Sequence, residues 1–485
     1  MIRDMELPAF LTFILATLHT AGHQAYAVGG CVRDVLRGVT PTDWDIATSA
    51  HPEEIQRLFP ESFCENDFGT VTLKPVPEIP EESKVEITPF RAEAGYSDRR
   101  RPDSVQFGVS LEEDLSRRDF TINAMAFDGT RIVDPYDGQR DLDNGIVRAV
   151  RDADERFNED ALRMLRAIRF ATVLGFEIEP ATFAAITKNA HLIDHVSPER
   201  VRDELTKMIN APKQPSRAFH LLHDCGLLAR ILPELEAGVG VGQNKHHVYT
   251  VFEHNVLSLD FAAEYGYTTA VRWASLLHDV GKPATKAGDG YNSTFYNHDI
   301  VGAKQARAIM QRLKFSKDFG VKVVTLVRYH LFFYDVGVVT EAAIRRLVKK
   351  VGAENIQDLL KVRIAERMGS GVAKARPYRL RHLEFMIEKV ARDPISVKML
   401  EIDGTVLMNE LAVAPGPRLG WMLNALLEDV LVDPSRNTRE WLMTRAQVLL
   451  TLSDADLAAL ASMAKASAEE VESGEVAKIK GKYKV

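Results

Sequence analysis

Cysteine is scarce in this sequence. The 485 residues include three cysteines, Cys31, Cys64 and Cys225, and their spacing matches neither a metal-binding motif nor a disulfide framework. Proteins that depend on disulfides occur mainly in oxidising compartments. The sequence therefore indicates a reducing compartment, and we expect a cytoplasmic protein.

Long hydrophobic runs are also lacking. No stretch approaches the roughly 20 apolar residues that cross a bilayer as a helix, so we expect no membrane partner. The apolar run near the N terminus, PAFLTFILATLHTAGHQA, is short, and it follows Asp4 and Glu6, where a signal peptide carries positive charge. An amphipathic first helix is the better interpretation.

An excess of positive charge is absent as well. The formal net charge is −7, whereas proteins that bind nucleic acid usually present a basic surface. Any nucleic-acid site must therefore be a local basic patch. The composition, 46% hydrophobic and 27% charged, is typical of a globular protein, and the length predicts three or four domains.

The pattern of polar and apolar residues predicts an α+β fold. Alternation and β-branched residues indicate short strands within residues 26–48, 68–75 and 83–91. These strands are expected to form a small antiparallel or mixed sheet with helices. From about 154 to 210, and again from 248 to about 352, the pattern is helical.

Two aspartates stand one residue apart in DWDIAT. Residues i and i+2 of a strand share a face, so Asp43 and Asp45 are predicted to converge while Trp44 turns to the core. Paired carboxylates beside substrate phosphates suit Mg²⁺, which can activate an attacking hydroxyl group and stabilise a leaving pyrophosphate. A solvated turn is the alternative.

Neighbouring residues extend this candidate site. Gly29 and Gly30 would let backbone N–H groups approach a triphosphate, and Arg33 would add positive charge. Glu86 is the candidate for a third metal ligand, because its apolar neighbours are expected to face the core. An exposed strand glutamate is the alternative.

Donors suited to phosphate and ribose follow in DLSRRDFTINAMAFD, residues 114–128, where Asp119 could orient an arginine. The order of this motif with GGCVRD…DWDIAT, DPYDG and EDALRMLRAIRF is specific. The sequence resembles the class II, bacterial-type tRNA nucleotidyltransferases, which comprise CCA-adding enzymes and their poly(A) polymerase relatives. The resemblance is strong over roughly the first 210 residues and weaker over the remainder.

The resemblance implies a polymerase-β-like nucleotidyltransferase head with a small sheet, followed by all-helical neck, HD, body and tail regions. We expect the domain boundaries at 1–150, 151–215, 216–350 and 351–485. Carried over position by position, the resemblance implies that Asp43 and Asp45 are the catalytic metal ligands. It also implies nucleotide contacts from Arg118, Asp119 and Asn123.

Asp160 and Arg163 in EDALR match the pair that reads the incoming base in this family. Residues three apart on a helix share a face. A carboxylate accepts from an exocyclic amine and a guanidinium donates to a ring nitrogen, a pattern that cytosine and adenine offer but uracil and guanine do not. The pair would then select CTP and ATP without a nucleic-acid template. An ordinary surface ion pair is the alternative.

The stretch RAEAGYSDRRRPDSVQFG, residues 91–108, resembles the flexible loop that these enzymes need when they switch from C to A addition. Enzymes that add only the two cytidines are shortened there. This chain keeps the loop, including Asp98 and Arg101, which disfavours a C-only enzyme. A surface loop without a role is the alternative.

A second group of metal-binding residue types lies downstream. LLHDVGKP resembles the HD phosphohydrolase signature, which implies a helical module that holds a second divalent metal and cleaves phosphomonoesters or cyclic phosphates. The candidate ligands are His254, His278, Asp279, His298, His330 and, farther along, Asp335. Buried histidines with a structural role are the alternative.

A basic cluster in GVAKARPYRLRHLEF could meet the phosphates of a tRNA acceptor and TΨC arm. Its charged members are Lys374, Arg376, Arg379 and Arg381, and Tyr378 could stack on a base. A solvated helix face is the alternative.

We therefore expect an enzyme that adds or repairs the 3′-terminal CCA of tRNA from CTP and ATP and releases pyrophosphate. The head motifs leave an A-adding enzyme or a poly(A) polymerase open. A phosphohydrolase with a decayed head, and a non-catalytic RNA-binding regulator, are alternatives from other classes.

Overall fold

A computed structural model of the chain describes residues 7–64, 69–74, 84–94, 104–243, 248–332, 334–339, 341–371, 377–391, 397 and 400–463. Asp98 and Arg101 of the predicted loop, and Lys374 and Arg376 of the basic cluster, lie outside the described residues. The chain forms two compact units. The first comprises Met1–His330 and Asp358–Ala373, and the second comprises Leu331–Gln357 and Lys374–Val485.

The N-terminal part of the first unit is a seven-stranded mixed sheet with helices. The described strands are β1 (Ala25–Val28), β2 (Asp43–Thr48), β3 (Ser62–Cys64), β4 (Val71–Leu73), β5 (Lys84–Pro89), β6 (Arg91–Ala94), β7 (Ser104–Phe107), β8 (Ala126–Phe127) and β9 (Ile132–Val133). The helices are α1 (Ala9–Thr20), α2 (Gly30–Leu36), α3 (Pro52–Leu58), α4 (Leu111–Ser116) and α5 (Gly138–Asn144).

The strand order is β3-β4-β5-β2-β1-β8-β9, and β6 pairs with β7 apart from it. Strand β2 runs parallel to β5, while the other neighbours are antiparallel. The predicted small mixed sheet is confirmed. The window 26–48 is only partly extended, because α2 lies between β1 and β2.

Strand β2 lies in the middle of the sheet, and apolar side chains at alternate positions of its first half turn to the core. Trp44 and Ile46 are buried, and Trp44 packs edge-on against Phe10 of α1 with 6.1 Å between ring centroids. Asp43 and Asp45 therefore share the opposite face. This packing fixes the direction in which both carboxylates leave the strand.

Helices dominate the rest of the first unit. They are α6 (Ala153–Glu159), α7 (Leu162–Leu174), α8 (Pro180–Asn189), α9 (Pro198–Ile209), α10 (Ser216–Asp224), α11 (Leu227–Ile231), α12 (Pro233–Glu236), α13 (Val251–Glu264), α14 (Thr269–Leu277), α15 (Lys282–Thr285), α16 (His298–Arg312), α17 (Lys317–Tyr329) and α19 (Ile356–Gly369). Helix α18 (Glu341–Val351), which precedes α19 in the chain, belongs to the second unit. A parallel pair, β10 (Ile146–Val147) and β11 (Glu177–Ile178), links the sheet region to α7.

The second unit also contains α20 (Tyr378–Ala391), α21 (Gly404–Leu411), α22 (Pro417–Val432) and α23 (Arg439–Leu450). Its core forms where α22 and α23 pack, around Met422, Leu426, Leu442 and Leu449. Among the described residues, no helix combines the length and the apolar character that a bilayer crossing requires.

Candidate active site and candidate metal centre

A cavity of about 320 Å³ lies beside the polar face of β2. Its wall combines acidic groups with four guanidinium groups, which suits a ligand that carries phosphates and a cation. The charged and amide side chains that line it are Arg33, Asp34, Asp43, Asp45, Arg118, Asp119, Asn123, Arg166 and Arg169. Most of the residues predicted for the head site therefore meet in one pocket.

The carboxylate of Asp45 lies in a crowded, largely buried position. Burial raises its pKa, and the neighbouring carboxylates of Glu86 and Asp43 raise it further, against the guanidinium of Arg118. A divalent cation would offset this negative charge, and hard oxygen ligands suit such an ion. The donor set of the head therefore fits a divalent metal.

Glu86 is paired in register with Asp45 on the adjacent strand β5, so both leave the same face of the sheet. Glu86 also forms an ion pair with Lys84. Among the described residues, the three head carboxylates do not form a set whose ligand atoms all lie within 4.8 Å of one another. The structure thus places Glu86 beside Asp45, and its role as a third ligand stays a prediction.

Gly29 permits the closest approach in the pocket. Its φ is +79°, and a Cβ there would lie 2.8 Å from Nη1 of Arg118 and 3.6 Å from Oδ2 of Asp45. Both the backbone conformation and the space favour glycine. Gly30 begins helix α2 directly after it.

Arg33 is held on the pocket wall by the side chains of two residues, Asn123 and Asp34. Its Nη1 donates to Oδ1 of Asn123 at 2.6 Å, and its Nε and Nη2 donate to Asp34 at 3.0 and 2.8 Å. Asn123 in turn donates through Nδ2 to Asp119 at 3.0 Å. Three residues predicted for nucleotide binding therefore form one hydrogen-bonded chain.

Asp119 does orient an arginine, and that arginine is Arg166 of α7. Nε of Arg166 donates to Oδ2 of Asp119 at 2.7 Å. Burial alone would raise the pKa of Asp119, but Arg166 and Asn123 lower it to about 2. The adjacent Arg118 instead pairs with Asp114 at 3.3 Å.

Among the pocket residues that sequence reasoning missed are Arg166, Arg169 and Phe170. The ring of Phe170 lies 4.0 Å from the guanidinium of Arg169 and 5.4 Å from that of Arg166, which favours cation–π contact. Arg163, Arg166 and Arg169 recur at every third position of α7. That spacing was the available signal.

The predicted geometry of Asp160 and Arg163 is wrong. Asp160 is an extended residue, with φ −142° and ψ 102°, between α6 and α7, so the two residues do not lie three apart on one helix. Asp160 accepts from Arg200. Arg163 donates to Glu159 at 2.5 Å and to the backbone carbonyl of Arg117 at 3.0 Å. Each is held by other partners, and their role in reading the base stays a prediction.

The five residues of the His-Asp segment meet in the protein interior. Nε2 of His254 and Nε2 of His278 lie 3.4 and 3.3 Å from Oδ2 of Asp279. Nε2 of His298 and Nε2 of His330 lie 3.4 and 3.5 Å from Oδ1. Asp279 is therefore shared by two sets of three side chains whose ligand atoms lie close enough together to hold a metal ion.

The histidine tautomers are set by the backbone. Nδ1 of His278, His298 and His330 lies 2.8, 2.7 and 2.7 Å from the carbonyl oxygen three residues earlier. A carbonyl only accepts, so each Nδ1 donates its hydrogen to the backbone, which leaves Nε2 of each ring as the atom that a metal ion can take. Burial and the neighbouring His278 lower the pKa of His254 to about 3. Four imidazoles and one carboxylate are ligand types that fit a divalent metal ion.

Two charged residues of this centre were missed from the sequence. Lys282 lies with Nζ 2.6 Å from Oδ2 of Asp279. Glu366 of α19 is held by Arg363 at 2.5 Å. Burial opposes its ionisation, but Arg363 and the nearby histidines lower its pKa to about 2. Asp335 is not part of either metal-binding set of described residues, and it pairs with Arg379 at 3.4 Å.

The described residues of the predicted RNA-binding cluster are Tyr378, Arg379 and Arg381, which lie in the first turn of α20. The side chain of Arg379 is 67% exposed. Tyr378 is 49% exposed and lies 5.9 Å from the ring of His382. The structure therefore presents an aromatic and a cationic side chain to solvent at the start of this helix.

The fold and the pocket define a nucleotidyltransferase head joined to an HD-type helical region, and comparison with family models agrees. Residues 25–148 match the Poly A polymerase head domain. Residues 175–238 match the probable RNA and SrmB-binding site of polymerase A. Residues 251–368 match the HD domain.

Comparison with individual proteins defines the family more narrowly. The CCA-adding enzyme of Ligilactobacillus salivarius (strain UCC118) is 35% identical over 447 residues, which cover 90% of this chain and 95% of the relative. The CCA-adding enzyme of Geobacillus kaustophilus (strain HTA426) is 48% identical over 229 residues, covering 47% of this chain and 55% of the relative. The chain belongs to the family of CCA-adding enzymes.

A solved structure supports the same assignment. The crystal structure of the Bacillus stearothermophilus CCA-adding enzyme in complex with CTP matches with a TM-score of 0.60 and 29% identity. The match covers 92% of this chain and 99% of that chain. The resemblance predicted from the motifs is confirmed, and so are the fold class and the HD domain.

Proposed function

We propose that this protein adds or repairs the 3′-terminal CCA of tRNA, using CTP and ATP without a nucleic-acid template and releasing pyrophosphate. The observation that carries the proposal is the pocket in which Asp43 and Asp45 of β2 face the same space as Arg33 and Arg118. The relatives are CCA-adding enzymes, which favours full CCA addition over the A-adding and poly(A) alternatives.

In this proposal the carboxylates and the guanidinium groups divide the work. Asp43 and Asp45 hold Mg²⁺, which supplies charge neutralisation at the α-phosphate and lowers the pKa of the attacking 3′-hydroxyl when bound. Arg33 and Arg118 bind the phosphates. Asn123 positions Arg33, Asp119 positions Arg166, and both Asn123 and Asp119 contact the sugar, with Gly29 keeping the space open.

Base selection falls to Asp160 and Arg163. Asp160 accepts a hydrogen bond from the exocyclic amine of cytosine or adenine, and Arg163 donates to the adjacent ring nitrogen. Uracil and guanine present a carbonyl and an N–H there, which leaves buried groups unpaired at a cost of about 1–3 kcal/mol for each. The loop that contains Asp98 and Arg101 then supports the change from C to A addition.

We place the tRNA acceptor and TΨC arm on the helical regions. The segment 175–238 matches a probable RNA-binding model, and Arg379 and Tyr378 are exposed on α20. Proteins read such RNA mainly by shape and by phosphate contacts.

The domain division at residues 150, 215 and 350 also stays a proposal. Among the described residues, which include all three cysteines, no disulfide forms, which supports a cytoplasmic location.

The test uses tRNA transcripts that end before CCA, after the first C and after CC. Each is incubated with purified protein and Mg²⁺, with CTP and ATP singly and together, and the 3′ ends are sequenced. We expect the bare transcript to be extended to CCA and then to stop. Extension of the CC-ending transcript alone would make the protein an A-adding enzyme, and long A tails would make it a poly(A) polymerase.

A second activity is favoured by the histidine cluster around Asp279. We propose that it binds a second divalent metal and hydrolyses a phosphomonoester or a cyclic phosphate. The test is hydrolysis of p-nitrophenyl phosphate and of 2′,3′-cyclic nucleotides with added Mn²⁺, Co²⁺ or Ni²⁺. Release of phosphate or ring opening by the wild-type protein, and its loss in Asp279→Ala, would support the proposal. No turnover with any metal would assign the cluster a structural role.

A further inference from the structure

The Asp160 carboxylate forms a bidentate ion pair with an arginine of a neighbouring helix. Nη1 and Nη2 of Arg200, on α9, donate to Oδ1 and Oδ2 of Asp160 at 3.1 and 2.7 Å. The two residues are 40 positions apart in sequence. The side chains of Asp160 and Arg200 are 16% and 24% exposed, so this two-pronged ion pair is partly shielded from solvent.

The hydrogen bonds to Asp160 leave few acceptor positions of its carboxylate open. An ionised carboxylate has roughly four acceptor positions. The two donors of Arg200 take two, and the backbone N–H of Leu162 takes another through Oδ1 at 3.1 Å. About one position is left for a ligand, and its direction is fixed by the other three contacts.

The backbone alone does not fix this side chain. Asp160 lies outside both α6 and α7, so the regular geometry of a helix does not set its direction. Helix α9 packs against α7, and four residues after Arg200 its Glu204 pairs with Arg169 of α7 at 2.6 Å. Residues four apart share a helix face. One face of α9 therefore carries two ion pairs, Arg200 with Asp160 and Glu204 with Arg169. Together they fix the position of Arg200 against Asp160.

We propose that Arg200 is a positioning residue for base selection. It turns the Asp160 carboxylate so that a single remaining acceptor position meets the exocyclic amine of the incoming base. Arg200 thereby contributes to the preference for CTP and ATP over UTP and GTP, although it does not itself contact the base. The inference rests on the proposed function of the head and on the role of Asp160 in it.

The test measures kcat/KM for the incorporation of CTP and UTP on a tRNA transcript that lacks CCA, in wild type, Arg200→Gln and Arg200→Lys. Loss of one well-placed hydrogen bond to the base corresponds to about a tenfold loss of preference for CTP over UTP. We expect that loss in Arg200→Gln, expressed mainly in the KM for CTP, and a smaller loss in Arg200→Lys. Arg202→Gln is the matched control, because Arg202 of the same helix pairs with Asp203 and with the carbonyl of Lys314.

A double-mutant cycle with Asp160→Asn separates positioning from general destabilisation. If Arg200 acts through Asp160, the double variant discriminates no worse than Asp160→Asn alone. An unchanged CTP preference in Arg200→Gln, or an equal loss in Arg202→Gln, would overturn the proposal. Failure of the wild-type protein to extend the transcript would instead refute the proposed function, so the two failures are distinguishable.

Discussion

Arg166 of α7 and the buried carboxylate of Asp119 in the head form an ion pair, with 2.6 Å between Nη2 and Oδ2. The two residues are 47 positions apart in sequence, so the pair ties the nucleotide-binding motif of the head to the helix that follows it. Asp119 also accepts from the backbone N–H of Phe120 at 2.8 Å. A single carboxylate thus orders the wall of the pocket.

Replacing this carboxylate should cost stability in a pH-dependent way. The folded pKa of Asp119 is about 2, below its ordinary value of 3.8, because Arg166 and Asn123 outweigh burial. Its contribution is therefore complete above about pH 4 and is lost as the pH falls toward 2. We expect Asp119→Asn to lower the free energy of unfolding by about 2 kcal/mol near pH 7.

Denaturant unfolding followed by hydrogen exchange of head peptides, from about pH 7 to pH 3, measures this difference. Asp143→Asn is the control, because Asp143 is an exposed carboxylate of the head, on α5. A difference that stays constant down to the lowest pH would show that Asp119 does not stabilise the fold as an ionised group.

The space at Gly29 should be required for activity beyond its backbone conformation. Gly29→Ala puts a Cβ 2.8 Å from Nη1 of Arg118. Gly38 has a similar φ of +74° with nothing within 4 Å of an added Cβ, so Gly38→Ala carries the backbone cost alone, about 1–2 kcal/mol. We expect nucleotide addition to fall roughly 10- to 100-fold in Gly29→Ala and to persist in Gly38→Ala. Equal activities in the two variants would exclude a role for the Arg118 contact.

The two aspartates of β2 should each be needed for nucleotide addition. Asp43→Ala and Asp45→Ala each remove a proposed ligand of the metal, and we expect a loss of at least about 100-fold in rate. Steady-state extension of a CC-ending tRNA with ATP measures it. Glu61→Gln is the control, because Glu61 pairs with Lys74 at the surface of the head. Addition that survives either alanine variant would refute the metal assignment.

The histidine cluster around Asp279 should retain a bound metal ion, and this should depend on histidines of the cluster but not on a histidine outside it. We expect His330→Ala to lose metal after loading with Co²⁺ and desalting, as measured by mass spectrometry and by the Co²⁺ absorption bands. His220→Ala is the control, since His220 contacts Glu253 at 3.1 Å outside the cluster. Equal metal content in both variants would mean that the cluster holds no ion.

Local pattern predicted the parts of the site that lie on one strand or in one motif. The faces of Asp43 and Asp45 follow from the alternation with Trp44 and Ile46, and the structure agrees. The motif order also identified the family. The two-residue strands β8 and β9 are too short for alternation to reveal, and their pairing depends on contacts distant in sequence.

Long-range partners explain the errors. The break at Asp160 was hidden because EDALRMLRAIRF has continuous helical character, while Arg200, which holds Asp160, is 40 residues away. Glu366 joined the histidine cluster through α19 without any local signal. Asp335 is the counter-example, since it follows His330 closely in sequence but pairs with Arg379.

The late position of α19 in the chain sets the order in which the two sites can form during synthesis. After the excursion 331–357 into the second unit, α19 and the residue that follows it bring Ser370 Oγ to 3.5 Å from Nδ1 of His254. They also bring Gly369 against Ser258, where a Cβ would lie 2.3 Å from the hydroxyl. The residues that line the transferase pocket all lie between Gly29 and Phe170. On the ribosome, N-terminal regions emerge and fold first. A nascent chain can therefore complete its transferase pocket before α19 has been synthesised and the histidine centre is complete.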